Sequence, residues 1–330
     1  MIHLVAPALL GPFPRFVEAG EAPPLPALER LLARADREPG PVGYATALFR
    51  LFGIADAAPS DSLPTAPLCH LADSGGAEEP RCLLHADPVH LRPDQDRLLA
   101  YDFYRQPLEP GEADAFVDAF NAHFADDGLA LLAPHPTRWY LAVERMPEAR
   151  FQPLAEILGR NIDLFLPEGP DARRWRAWLN EVQMLFYGLP QNAEREARGR
   201  MPVSGLWFSG PGRLPQVPGG RVRPDAAALE CPLVEGLAAR AERPGDEPLQ
   251  VAQAPGRAVL EADFDAWSAA MQDFDRRLDE LMTEELRLYT CDGCAWHWKP
   301  AHRRRFWRRR RAAVLSGGDD AAQKGKQRRA

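Results

Sequence analysis

The chain has 330 residues, 45% of them hydrophobic, and a formal net charge of −7. That length and composition call for a well-buried core in one large domain or in two to three ordinary ones, and exclude a disordered or fibrous chain. No stretch approaches the ~20 apolar residues of a membrane span, and Met1-Ile-His-Leu-Val-Ala-Pro lacks the basic start and cleavage site of a secretory leader. Five cysteines spread over this length do not make a disulfide scaffold, so a reduced, cytoplasmic protein is expected.

Charge and proline are unevenly used. From Lys299 to Ala330 there are twelve Lys/Arg against Asp319 and Asp320, a net +10 that leaves −17 on the rest of the chain. The 33 prolines sit between short apolar runs, which predicts short elements joined by ordered loops.

In chain order, Ile2–Val5 reads as a strand, Leu25, Leu28, Leu31 and Leu32 recur at helical spacing, and Tyr44–Leu51 reads as a helix. Ala57–Glu79, rich in Pro, Ser, Asp and Gly, reads as a loop or linker. The clearest pattern follows. Leu83–Arg92 and Arg97–Phe103 alternate as strands around a turn at Pro93–Asp96. Pro110–Phe124 carries Ala113, Phe116, Val117 and Phe120 on one helical face, with Pro110 at the start and Gly128 past the end. Leu129–Ala133 and Trp139–Val143 complete a ββαββ order, a small sheet with one helix laid across it. Residues 171–187 form an amphipathic helix, Leu206–Phe208 a buried strand running into a glycine turn at Ser209–Gly212, and Leu233–Ala241 and Phe264–Leu286 two more helices. Trp296–Trp298 reads as a strand, and the chain beyond Ser316 as disordered. The expected divisions are an N-terminal α/β segment and linker (1–82), the ββαββ unit (83–150), a helical and strand portion of the core (151–312) and a basic tail (313–330).

Four clusters carry residue types suited to chemistry. In His85-Ala-Asp87-Pro-Val-His90-Leu-Arg92, strand alternation sets His85 and Asp87 on one face and His90 and Arg92 on the other. A metal site there would need ligands from elsewhere; the other readings are polar strand residues bonded to loops, or an anion-holding role for His90 and Arg92. Asn192 and Arg195 share a helical face, which fits a grip on a carboxylate or phosphate, and equally a capped solvated helix with Arg195 paired to a nearby Glu. Cys291-Asp-Gly-Cys294, with His297 and His302 beyond it, offers zinc-ligand types at cramped spacing, a redox pair or an ordinary turn. Arg303–Arg311, interrupted by Phe306 and Trp307, fits nucleic acid or acidic lipid, or a terminal element that docks its aromatics while its arginines neutralise the acidic body. Gly-x-Ser-x-Gly is absent, and Ser209–Gly212 matches neither phosphate-loop pattern.

The order Asn192-x2-Arg195-x3-Gly199-x2-Pro202, followed by a strand with Trp207, resembles the archaeal-type cofactor-independent phosphoglycerate mutases. Val89–Arg92, Leu98–Asp102, the helix from Glu109 and Arg138-Trp-Tyr-Leu follow the order of that family's inserted substrate domain. Ala86–Asp94 and the basic Phe-Trp-Arg end are closer to a bacterial family of shorter mutase-like or regulatory proteins, and the resemblance covers roughly residues 83–240. It implies a degenerate alkaline-phosphatase-like α/β core carrying the ββαββ unit, with Arg92, Arg138, Asn192, Arg195 and His90 as ligand-binding residues. The departures lie in the reaction centre. Leu4-Val-Ala6-Pro7 stands where the family has Asp-Gly, Leu189 where it has the His before Pro, Ser204 where it has a later Asn, and the Ser-Gly-His nucleophile segment has no counterpart. Such enzymes use two divalent metals to activate that serine.

The resulting expectation is a mutase-like protein without catalysis and without a cofactor, binding a small phosphorylated or carboxylated ligand or a protein partner in a regulatory role. The first alternative is a phosphoglycerate mutase or phosphohydrolase with a reorganised site, for which a divalent metal such as manganese would be required, with His85, Asp87, Cys291 and Cys294 as the weak ligand candidates. The second is a nucleic-acid or membrane-surface adaptor acting through Arg303–Arg311.

Overall fold

A computed structural model describes residues 1–11, 23–54, 62–261 and 263–308; the tail beyond Ser316 and Arg309–Arg311 lie outside the described residues. The strands are β1 (Ile2–Val5), β2 (Asp36–Val42), β3 (Cys82–Asp94), β4 (Arg97–Tyr101), β5 (Leu129–His135), β6 (Arg138–Val143), β7 (Gly205–Gly212), β8 (Val222–Pro224), β9 (Glu247–Val251), β10 (Leu286–Tyr289) and β11 (Asp292–Trp298). The helices are α1 (Pro26–Arg34), α2 (Tyr44–Leu51), α3 (Thr65–Asp73), α4 (Pro110–His123), α5 (Leu154–Ile157), α6 (Ala172–Tyr187), α7 (Pro190–Ala197), α8 (Ala226–Leu229), α9 (Pro232–Arg240), α10 (Ala254–Leu260) and α11 (Phe264–Leu281). The class is mixed α/β, as expected. No helix among the described residues is long and apolar enough to cross a membrane.

The chain divides into two compact units, one of Met1–Ala47 with Asp246–Ala330 and one of Leu48–Gly245. In the first, the strand order is β2-β11-β10-β1-β9, with β1 parallel to both β9 and β10 and β11 antiparallel to both β10 and β2. Ile2, Leu4, Leu28, Leu31, Trp267, Met271, Phe274, Leu278 and Trp298 fill its core. The apolar stripe of α11 packs on α1, and the buried Asp275 carboxylate accepts the Ala27 and Leu28 amides at 3.2 and 2.8 Å. A carboxylate there satisfies two donors that a helix start leaves open.

The second unit holds the ββαββ element with the expected order. Its strands run β4-β3-β6-β5, with β7 added on β3. β3 is long because it serves two partnerships. Its first half lies between β6 and β7, while His90–Asp94 pairs with β4. Cys82, Leu84 and Ala86 of β3, Trp139 and Leu141 of β6, and Leu206 and Phe208 of β7 face an aromatic core with Phe116 and Phe120 of α4 and Trp175, Trp178 and Phe186 of α6. Phe116–Phe186 and Trp175–Phe208 meet edge to face at 5.0 and 5.4 Å, pairs of about 0.5–1.5 kcal/mol each beyond their burial.

Three local expectations are corrected. The segment read as linker contains α3, which starts after Pro64, tolerates Pro67 in its first turn, and buries Ala66, Leu68 and Leu71. Ser209–Gly212 is strand, not turn. Gly210, at φ +58°, sits where the β3–β7 register shifts, and a Cβ at Gly212 would fall 2.3 Å from the Pro64 side chain. The glycines are there because α3 passes too close for side chains. The long C-terminal helix stops at Leu281, and Leu286 opens a strand instead.

Candidate functional site

On the sheet face opposite the aromatic core lies α3, and this interface is polar. Thr65, Cys69 and Asp73 recur every fourth residue, so they share one side of the helix. Opposite them stand His85 and Asp87 from β3 and Arg138 and Tyr140 from β6, with His85 directly across from Tyr140 in the ladder. Period-two alternation produces this split: Leu84, Ala86, Trp139 and Leu141 go to the core, their neighbours to α3.

Asp73 is the hub. Its carboxylate takes Arg138 bidentately, Nε to Oδ2 at 2.8 Å and Nη2 to Oδ1 at 2.5 Å, and accepts the Tyr140 hydroxyl at 2.6 Å. The Asp73 side chain is 4% exposed, whereas Arg138 is 37% exposed, so the pair has a buried end and an open one. His85 Nε2 meets Thr65 Oγ1 at 3.2 Å, and the rings of His70 and His85 pack on Tyr140 at 5.2 and 5.5 Å.

The surroundings shift the titrations strongly. Desolvation raises the Asp87 carboxyl to about 8, with Arg138 opposing and Asp102 and Asp73 reinforcing, so it carries its proton at neutral pH. Desolvation lowers His85 to about 4, keeping its imidazole neutral. Burial likewise lowers His70 and His135, and raises Cys69 and Tyr140 well above their ordinary values. The site therefore offers one fixed guanidinium, a protonated carboxyl and neutral imidazoles. That set suits holding an anion by charge and donated hydrogen bonds.

The five residues expected to bind ligand do not converge. Arg138 belongs to this cluster. Arg195 is fully buried elsewhere: Nε donates to Met201 O at 2.8 Å, Nη1 to Glu112 at 2.7 Å, and the guanidinium lies 5.3 Å from the Phe103 ring centroid. Asn192 spends its amide on backbone, donating to Phe186 O and Val203 O and accepting from Val203 N. The capped, solvated helix does not hold, because Leu189 is the N-cap of α7 and both side chains are buried; Arg195 does pair with a glutamate, though one 83 residues away. Both residues lock α7 and the following turn in place. His90 Nδ1 lies 3.0 Å from Pro202 O, and Arg92 stacks on Tyr101 with its Nη2 donating to the hydroxyl at 2.5 Å.

His85 and Asp87 share the expected face. Among the described residues, no group of three His, Cys, Asp or Glu side chains is placed to hold a metal ion. Cys294 Sγ instead receives Arg37 Nη2 at 2.8 Å, His297 pairs with Glu285, and Cys291 is a partly buried thiol that desolvation pushes up to about 12. Asp73, Tyr140, His70, His135 and Cys69 escaped the sequence reading. The signal available was the four-residue recurrence of polar side chains in a segment that proline content disguises as loop.

Gly210 fixes the spacing of this interface. A Cβ there would stand 2.1 Å from Thr65 Oγ1 and 3.1 Å from His85 Cδ2, at a φ that L residues avoid. Gly210→Ala is expected to cost about 1–3 kcal/mol in urea unfolding and to detach His85 from Thr65, seen as a shift of the His85 ring signals by NMR.

No family model matches the chain, and no curated protein matches it. Among solved structures, the cofactor-independent phosphoglycerate mutase from Thermoplasma acidophilum DSM 1728 aligns over 96% of this chain and 95% of its own, at 14% identity and a TM-score of 0.37. The PH0037 protein from Pyrococcus horikoshii aligns over 90% of this chain and 87% of its own, at 13% identity and a TM-score of 0.44. These values describe a distant mutase-like likeness in a mixed α/β chain, and they carry nothing about chemistry.

Proposed function

We propose that the chain binds a small phosphorylated or carboxylated ligand at the α3–β3–β6 cluster, in a regulatory rather than a phosphoryl-transferring role. The observation that supports it most is the half-open Asp73–Arg138 pair with a protonated Asp87 beside it. Asp73 orients the guanidinium, and its remaining donors together with the Asp87 proton can meet ligand oxygens. The reading as a binder rests on the sequence, which lacks the serine nucleophile segment and the Asp-Gly start of the mutases.

The test uses sulfate, whose charge does not change near neutrality, together with 3-phosphoglycerate. Calorimetric binding of both is expected below pH 8, weakening as Asp87 loses its proton above that value. Asp87→Asn keeps a donor at every pH and is expected to flatten the profile, while Arg138→Met weakens binding at least about tenfold, the worth of one charge-assisted bond. Arg92→Met leaves binding unchanged. Manganese-dependent turnover of 3-phosphoglycerate would overturn the regulatory reading. Sulfate affinity indifferent to both Asp87→Asn and Arg138→Met would remove the site.

A further inference from the structure

Of the terminal element expected to dock its aromatics while its arginines neutralise the acidic body, the described part, up to Arg308, pairs Arg305 with Asp36 but leaves both aromatics exposed. After β11, Pro300–Arg304 forms a single 3-10 turn whose inward residue is His302, its ring centroid 5.8 Å from that of Trp298 at the end of β11. The chain is then tied down by arginines. Arg305 Nη1 donates to Asp36 Oδ1 at 2.5 Å and to Arg34 O at 2.8 Å, Arg308 Nη1 reaches Ala35 O at 3.4 Å, and Arg34 Nη1 donates to Arg303 O at 2.7 Å. Phe306 and Trp307 are left 77% and 66% exposed, meeting each other edge to face at 5.5 Å and 79°.

Two large adjacent rings projecting from a turn held by a charged anchor make a built surface, not an unfinished core. The collar around them is cationic. Lys299, Arg303, Arg304 and Arg308 are exposed, residues 299–308 contain no Asp or Glu, and the sequence continues with Arg309, Arg310 and Arg311. We propose that the Phe306–Trp307 tip is a docking surface for an anionic lipid bilayer. Indole and phenyl rings settle at headgroup depth, where a basic collar meets the negative surface potential. The perpendicular rings favour this partner over single-stranded nucleic acid. Stacking successive bases needs open, parallel ring faces, and here one ring presents its edge to the other's face.

The full chain is tested by co-sedimentation with mixed phosphatidylcholine–phosphatidylserine vesicles, with pure phosphatidylcholine vesicles, and with a single-stranded oligonucleotide. Binding is expected on the mixed vesicles alone and is expected to fall as salt rises. Phe306→Ser with Trp307→Ser should lower partitioning at least about tenfold, and Arg303→Gln with Arg304→Gln about 10- to 30-fold. All four residues are exposed, so unchanged circular dichroism certifies the fold of each variant. Equal binding to both vesicle types, or partitioning that survives the ring substitutions, overturns the proposal. So does oligonucleotide binding that displaces vesicles and is lost with the rings, which assigns the surface to nucleic acid.

Discussion

Asp87→Asn is expected to make the protein more stable at pH 8 and to change the shape of its pH–stability curve. In the folded chain burial holds the Asp87 carboxyl at about 8, against about 3.9 when unfolded. Between these values the folded state keeps a proton that the unfolded state has released. Stability therefore falls as pH rises through this window, and levels off above pH 8. His85 works in the opposite direction. Folded, it titrates at about 4; unfolded, at about 6.5, so stability falls as pH drops between those two values. From pH 4 to 6.5 the two slopes offset one another, and from 6.5 to 8 only that of Asp87 remains.

The full shift corresponds to about 6 kcal/mol, and allowing for water at a carboxyl that is only partly buried brings the expected gain to about 2–4 kcal/mol at pH 8. An amide keeps an oxygen for the Trp139 backbone bond that Asp87 receives. Urea unfolding at pH 5, 6.5 and 8 reads the result. The natural chain should be nearly flat between the first two points and weaker at the third, whereas the variant should gain from pH 5 to 6.5 and then stay level. A variant whose curve parallels that of the natural chain at all three points would show that Asp87 is ionised in the folded state.

The parts of the fold that the sequence reveals are those where one physical rule acts alone. The ββαββ element is legible because β3 to β6 alternate with period two, α4 has its proline at the start, and Gly128 stands in the left-handed region past its end. β2 is not legible. Asp36-Arg-Glu-Pro-Gly-Pro-Val42 has the composition of a loop, and it forms a strand because it lies at the sheet edge, where proline lacks no ladder partner. A Cβ at Gly40 would come 2.4 Å from the Cys294 backbone, so the same glycine that reads as a breaker permits the pairing with β11. At the site, Arg138 was legible as an anion-type residue, but its partner Asp73 comes from 65 residues away, in a helix that its prolines conceal. Asn192 and Arg195 do share a face, as their spacing demands. Sequence cannot show whether a polar pair faces a ligand or its own backbone; here the Val203 and Met201 segment folds back over α7 and takes both.

That closure sets up the largest expected loss, from Glu112→Ala. Glu112 is the one carboxylate in contact with the fully buried Arg195 among the described ion pairs, at 2.7 Å, and the same oxygen accepts the Glu109 amide at the start of α4 at 2.9 Å. Removing it uncaps α4 and leaves a guanidinium buried between Phe103 and the Met201 carbonyl. Burial lowers the Arg195 pKa, the charge of Glu112 opposes that shift most strongly, and Nη2 is a buried donor with no acceptor. Breaking one side of such a pair costs about 3–5 kcal/mol. Glu112→Gln retains the acceptor for the cap and should cost less, about 1–3 kcal/mol, the range for a buried bond weakened but not vacated. Arg195→Met in the Glu112→Gln background removes the charge together with its partner, and should recover much of the loss, because an apolar side chain of similar length suits a site walled by Phe103. Urea unfolding reads all three, and the Arg195→Met single variant closes a double-mutant cycle with Glu112→Gln. Additive losses would mean that the two side chains act independently, and that α4 and α7 are fastened by packing rather than by this buried charge pair.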